Sequence, residues 1–269
     1  MGTFGKVIAA LFLGAIVIYL VTPILVAASI SFTTEPYIQF PPEGFSLQWY
    51  AKFINNPIWR EAMLNTVIVG LSCCLMATVV GTLTAYGISR IKRPVLRDAL
   101  FVLFLVPLVI PYMALAMSLY PLYADLHLIG TRAGVAIAQA VVAIPYVVIA
   151  VTASIRRKDA NLEQAARTLG ASPVKAFWYV VLPLLAPGIA GGAVLAFITS
   201  FDDVVMPIFL GGISAGTIPK AMLDALYGVS DPTVMAVSAT LNAIGLLLLL
   251  IGLAITRRRS PAVKPAPAR

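Results

Sequence analysis

The sequence predicts an all-α integral membrane protein with six transmembrane helices, and three observations support that class. Of 269 residues, 60% are hydrophobic and only 11% are charged, against about 25% charged in ordinary soluble domains. Apolar runs of twenty-odd residues recur, the length an α-helix needs to cross the hydrocarbon core of a bilayer. The charges gather between those runs, with opposite signs on the two sides the runs would separate.

The elements follow in chain order. Lys6 precedes an apolar run over 7–30 that suits a spanning helix better than the shorter core of a signal peptide, although Val26, Ala27 and Ala28 faintly resemble a cleavage site. The stretch 31–65 holds Pro36, Pro41, Pro42, Gly44 and Pro57 together with Tyr37, Phe45, Trp49, Tyr50, Phe53 and Trp59. That mixture predicts a folded interfacial loop with a short surface helix. A second span is expected over 64–88, where Gly81, Ala85 and Gly87 would allow close helix contact. A third, over 99–120, contains Pro107 and Pro111 and is expected to be kinked or broken. The fourth, over 133–155, contains Pro145. The fifth, over 184–201, follows Pro183 and holds Pro187, Gly188, Gly191 and Gly192, and the sixth covers 233–255. A single transmembrane domain over 1–256 would then give way to a disordered basic Pro/Ala tail over 257–269.

Orientation comes from the basic residues. With both termini inside, the cytoplasmic parts hold 15 of the 19 Lys/Arg and 3 of the 11 acids, a charge of +12, and the outer loops carry −4. This is the positive-inside pattern of a bacterial cytoplasmic membrane protein. It accounts for the overall +8 as topology and removes the case for a nucleic-acid partner. The adjacent Cys73 and Cys74 lie in an apolar run and read as small packing residues. With His127 the single histidine, no metal-site cluster is visible.

The polar stretch 156–183 interrupts this apolar pattern, with five Lys/Arg and two acids. It reads as two short helices joined at Gly170: Asn161 and Gln164 have capping-box spacing, and Ser172 before Pro173 is a cap-plus-first-turn signal. Glu163, Ala165, Ala166 and Gly170 stand at E-x-A-A-x-x-x-G spacing, followed by Val180, Leu182 and Pro183. Glu163, Ala166 and Gly170 would fall near one helix face open to another protein, and Pro183 would mark the return to the membrane. The alternative is a basic loop lying on headgroups through Arg156, Arg157 and Lys158.

This spacing resembles the EAA loop of permease subunits of binding-protein-dependent ATP-binding-cassette importers. Ser46, Leu47, Trp49 and Tyr50, then Leu64, Asn65 and Thr66, and Leu126, Leu128, Ile129, Gly130 and Thr131 also look like this superfamily. Phe201, Asp202, Asp203, Val204 and Val205 resemble a segment of the second permease subunit of spermidine/putrescine importers. The resemblance implies a type I importer permease fold, with the hairpin 156–183 docking on an ATPase dimer through Glu163, Ala165, Ala166, Gly170, Leu182 and Pro183. It further implies a second related permease, with a heterodimer favoured, and a periplasmic or lipid-anchored binding protein. ATP and magnesium would be held by the ATPase, since this chain has no G-x-x-x-x-G-K-[ST] sequence and binds no cofactor of its own.

Asp202 and Asp203, at the outer end of the fifth span, are the candidate pathway residues and would attract a cation such as a polyamine. The competing reading has them facing water, capping backbone N–H groups or touching the binding protein. Permeases for iron(III), thiamine, opines and aminophosphonates share much of the pattern, so those solutes stand as alternatives. A membrane enzyme would need clustered carboxylates, histidines or a nucleophile–base pair in the spans, and none is visible. An ATP-independent channel or carrier would not need the hairpin.

Overall fold

Helix α1 (Thr3–Ile30) has 28 residues, none of them charged after Lys6, and at 1.5 Å per residue it extends about 42 Å, more than the hydrocarbon core requires. In the computed structural model, which describes residues 3–157, 161–228 and 231–259, eleven further α-helical segments follow. They are α2 (Gln48–Asn55), α3 (Pro57–Ser89), α4 (Pro94–Leu105), α5 (Tyr112–Asp125), α6 (Arg132–Arg157), α7 (Asn161–Thr168), α8 (Pro173–Ala176), α9 (Leu182–Phe201), α10 (Val205–Leu210), α11 (Ile218–Tyr227) and α12 (Thr233–Arg259). No strand occurs among the described residues.

Among the described residues, four stretches are long and apolar enough to cross a membrane: Phe4–Ile30, Pro57–Ser89, Arg132–Arg156 and Pro173–Phe201. The pair Pro94–Leu108 and Tyr112–Asp125 is bent by 93° at its break, and Thr233–Leu247 adds a shorter apolar stretch within α12. The break realises the expectation from Pro107 and Pro111. A tight turn covers Val106–Leu108, and Pro111 sits with extended backbone ahead of α5, where its missing N–H costs no helical hydrogen bond.

Several boundaries differ from the sequence reading. The second span starts at Pro57, not at 64, because the first turns of α3 are amphipathic: Trp59 and Ala62 are buried while Arg60 and Glu61 face out. The fifth span does not start after Pro183. Helix runs without a break from Pro173 through a widened π turn, Phe177–Val181, into α9. The Leu182 N–H bonds to the Phe177 carbonyl five residues back, and this widened turn lets the helix absorb Pro183, which has no N–H to offer. Arg257, Arg258 and Arg259 belong to α12, not to the tail, and 260–269 lie outside the described residues.

The chain divides into two compact units, Met1–Pro57 with Met222–Arg269, and Ile58–Ala221. In the first, α1 and α2 pack on α12. The loop between α1 and α2 is folded as expected: Phe32 stacks on Phe45 at 5.0 Å, Tyr50 and Ser31 share a 2.7 Å hydrogen bond, and the Trp49 indole donates to the Thr33 carbonyl at 2.8 Å. Lys52 of α2 lies over the Trp49 ring and pairs with Asp231, which also caps α12 by accepting from the Thr233 N–H at 2.9 Å.

The second unit is built on α3, α6 and α9. One face of α3, with Val69, Cys73, Ala77, Gly81 and Ala85 at every fourth position, is buried. A Cβ on Gly81 would come within 2.7 Å of Val147, and Cβ atoms on Gly188 and Gly192 would meet the backbone of α6 at 2.9–3.0 Å. Small residues thus bring these helices together, as in other membrane bundles. Gly87 was expected to share that role and does not: it is exposed, and a Cβ added there would have no neighbour within 4 Å. Cys73 and Cys74 are free, and Cys73 is fully buried as a packing residue.

Candidate functional site

The hairpin begins with α7, whose end satisfies its own carbonyls. The Ala171 N–H bonds to the Ala166 carbonyl and the Gly170 N–H to the Arg167 carbonyl, both at 3.1 Å, with Gly170 at φ +91. This is the Schellman arrangement, and its left-handed residue strongly favours glycine. Two residues on, the Ser172 hydroxyl accepts from the Lys175 N–H at 3.3 Å, with Pro173 as the first residue of α8. The expected cap-plus-first-turn is therefore present. The Asn161 side chain, on which the expected cap depends, and Lys158 with its headgroup contact lie outside what the structure describes.

Glu163 does not face outward with the small residues of its motif. It is 7% exposed and turned against the end of α3, where Arg90 pairs with it and the Tyr86 hydroxyl donates to Oε1 at 3.1 Å. Arg90 in turn donates to the Tyr86 oxygen at 2.8 Å and lies 4.6 Å over the Tyr86 ring. Burial pulls the Arg90 pKa down, and its bonds to Glu163 and Tyr86 more than offset that, leaving it raised. Ala165 and Gly170 are exposed, Ala166 and Leu182 are half-buried, and Pro183 is exposed on the continuous helix. Leu162 (46%), Leu169 (90%) and Val174 (65%) present apolar surface around the turn, which sequence reasoning did not single out.

At the opposite end of α9 the acidic pair splits. Asp203 is 6% exposed and saturated: Oδ2 accepts from Gln139 Nε2 at 2.8 Å, and Oδ1 accepts from the Val205 and Met206 N–H groups at 2.8 and 3.3 Å. The Tyr112 hydroxyl interacts with it, and Ser200 completes the cluster by bonding Gln139 Oε1 at 2.5 Å. Asp203 thus ties the restart of α5, the middle of α6 and the start of α10 together. Asp202 is exposed. Capping of local N–H groups, the competing reading of the pair, describes Asp203.

A second buried node lies nearby in the same unit. Asn65 donates to the carbonyls of Ser214 and Gly216 at 3.0 and 2.9 Å and accepts from Arg132 Nε at 2.6 Å. Thr66 Oγ1 accepts the Ile218 N–H at 2.7 Å. These contacts span about 150 residues of sequence, and the only signal for them was the Leu64–Asn65–Thr66 likeness.

These residues form a helical domain with spans long enough to cross a membrane, one of them broken at prolines, and a capped hairpin, and comparison with known proteins gives its family. Residues 77–264 match the family described as binding-protein-dependent transport system inner membrane component, and the chain belongs to that family. It is 28% identical over 252 residues to the spermidine/putrescine transport system permease protein PotC of Haemophilus influenzae, covering 93% of this chain and 96% of that one. It is 27% identical over 236 residues to the putrescine transport system permease protein PotI of Escherichia coli K12, covering 85% and 84%. Among solved structures, a chain of a bacterial ABC transporter involved in alginate import superposes with a TM-score of 0.70 at 18% identity, covering 96% of this chain and 97% of that one. A chain of the MetNI methionine ABC transporter in an inward-facing form gives 0.60 at 21% identity, covering 81% and 100%. The fold is that of an ABC importer permease, and the chain is a multi-pass inner-membrane component of such an importer.

Proposed function

We propose that the chain is one permease of a heterodimeric polyamine importer, with six spans, both termini cytoplasmic, and the hairpin α7–α8 as the contact for an ATPase dimer. The observation that carries the mechanical part is the unbroken helix from Pro173 through α9. A capped turn that continues into a spanning helix transmits displacement, whereas a basic loop resting on headgroups would dissipate it. Leu162, Leu169 and Val174 supply the apolar surface for the contact, around Ala165, Ala166 and Gly170. Hydrolysis of ATP, with its magnesium, belongs to the ATPase, and a periplasmic or lipid-anchored binding protein delivers the solute.

The polyamine assignment rests on the relatives, which are named for spermidine and putrescine and align over nearly the whole chain. Within the acidic pair, Asp202 is the exposed group that attracts a cation, while Asp203 holds the surrounding helices.

The test is purification of the complex through a tag on this chain, followed by uptake assays in proteoliposomes. The expected result is co-purification of an ATPase, a second permease and a binding protein, with ATP-dependent uptake of spermidine or putrescine. Uptake of iron(III), thiamine, an opine or an aminophosphonate in its place would overturn the substrate. Absence of an ATPase, or uptake indifferent to ATP, would overturn the importer reading.

A further inference from the structure

In the sequence Arg90 belongs to a basic cluster that reports only topology. The structure gives it a second task. Arg90 leaves the last turn of α3, with its N–H on the Gly87 carbonyl at 3.1 Å, four residues after Tyr86 and on the same face. Its guanidinium pairs with Glu163, donates to the Tyr86 hydroxyl at 2.8 Å and covers the Tyr86 ring at 4.6 Å. The Tyr86 hydroxyl, accepting from Arg90, donates its own O–H to Glu163 Oε1 at 3.1 Å. The Tyr86 ring leans on Phe177 at 4.9 Å, inside the π turn that joins α8 to α9. One small cluster therefore ties together the end of α3, the first hairpin helix and the helix that returns to the membrane.

We propose that Arg90 is a positioning residue that locks the first hairpin helix to α3 through Glu163, so that displacement of the hairpin moves α3 and α9 together. Two features support a brace. Glu163 is 7% exposed, so its carboxylate has exchanged water for Arg90 and Tyr86, and removing the cation leaves a buried charge without its main partner. The contact also joins segments 73 residues apart in sequence, and α7 is a two-turn helix too short to hold its own direction. Without the brace, α7 is held to the bundle by its Schellman turn and its packing on α8 and the π turn, and a push on the hairpin would be passed to α9 but not to α3. The inference rests on reading α7–α8 as the ATPase contact.

The experiment uses the full complex with Arg90→Ala, Arg90→Lys, Glu163→Arg and the exchange Arg90→Glu with Glu163→Arg. Expected for Arg90→Ala are normal co-purification and basal ATP hydrolysis, with solute uptake per ATP lower by about tenfold, in keeping with loss of a charge-assisted hydrogen bond. Arg90→Lys should retain an intermediate ratio, and the exchanged pair should exceed the Glu163→Arg single variant by several-fold, since ion pairing survives the swap. Amide exchange over Leu162–Thr168 should be about tenfold faster in Arg90→Ala. Unchanged exchange in α7 overturns the brace whatever the complex contains. Wild-type coupling in Arg90→Ala, an exchanged pair no better than the single variant, or failure of both the Ala and Lys variants to assemble also overturns it, the last by making Arg90 a folding residue. A wild-type complex without an ATPase overturns the reading beneath it and leaves the exchange result standing.

Discussion

Alanine at Gly188 and at Gly191 should change the stability of this protein in opposite directions, although the two sites are three residues apart in one helix. A Gly→Ala change in a helix interior ordinarily stabilises by about 0.5–1 kcal/mol, because alanine loses less backbone freedom on folding. At Gly191 nothing lies within 4 Å of the added Cβ, so that gain should appear. At Gly188 the Cβ would come 2.2 Å from the Ser154 hydroxyl and 2.9 Å from the Ala150 carbonyl oxygen. Ser154 can rotate away, but the carbonyl is part of α6 and can retreat only if the helices separate. Reaching ordinary contact requires about 0.5 Å of separation, enough to forfeit roughly a quarter of the dispersion energy of each contact it stretches. Overpacking of this kind costs about 1–3 kcal/mol, which exceeds the propensity gain and corresponds to a Tm lower by roughly 5 °C. The assay is thermal unfolding of the detergent-purified protein, followed by tryptophan fluorescence. If Gly188→Ala melts at or above the wild-type temperature, the close approach of α6 and α9 is not what these glycines provide.

Asp203→Ala should lower stability by about 3 kcal/mol, because it strips the acceptor from Gln139 and two α10 N–H groups, and Asp203→Asn should lower it less. Loss of uptake in Asp203→Asn with an unchanged Tm would instead make the carboxylate a solute contact. For Asp231, burial raises the carboxyl pKa, while Lys52 and Thr233 pull it down by more, so the folded value is lowered. Its stabilisation is then present above the unfolded value of about 3.9 and is lost as pH falls through the folded value. The Tm difference between wild type and Asp231→Asn should be positive at pH 7 and vanish once the pH falls below the lowered folded value, and a constant difference would refute the assignment. At Gly170, with φ +91 and open space around it, valine should destabilise the turn by about 1–2 kcal/mol and asparagine by less. Limited proteolysis of the hairpin measures this, and equal cleavage of the Val and Asn variants would show that the left-handed turn is not maintained.

The sequence made some features legible and hid others for definite physical reasons. Apolar runs report spans directly, because lipid offers backbone groups no partner and long helices are the response. Proline at 107 and 111 reported the broken third span, because the ring removes donors at fixed places. The seven extra residues at the start of α3 were hidden because Arg60 and Glu61 dilute the hydropathy of a turn whose other face, Trp59 and Ala62, is buried. Pro183 looked like a boundary because proline normally ends a helix; a π turn just before it let the helix continue. The likeness at Leu64–Asn65–Thr66 marked the place of the Asn65 node but not its partners, since Ser214 and Gly216 are brought to it only by the fold.

The acidic residues show most clearly what spacing can and cannot report. Glu163 was expected to face a partner, and Asp203 either to meet a solute or to face water, cap local N–H groups or touch the binding protein. Both are more than nine-tenths buried and fully engaged by the chain itself. The physics favours that outcome: a carboxylate at the edge of a bilayer protein is strongly stabilised by a few fixed donors and penalised without them. A position where such donors exist therefore draws the carboxylate inward. What then remains exposed is the less conspicuous set, Leu162, Leu169 and Val174 around the hairpin turn and Asp202 at the far end of α9. On the proposed reading of the hairpin, Glu163 and Arg90 would give the contact surface its rigidity, and Leu162, Leu169 and Val174 would make the contact. Substitutions at Leu169 should accordingly weaken association with the ATPase, while substitutions at Arg90 should leave association intact and weaken coupling.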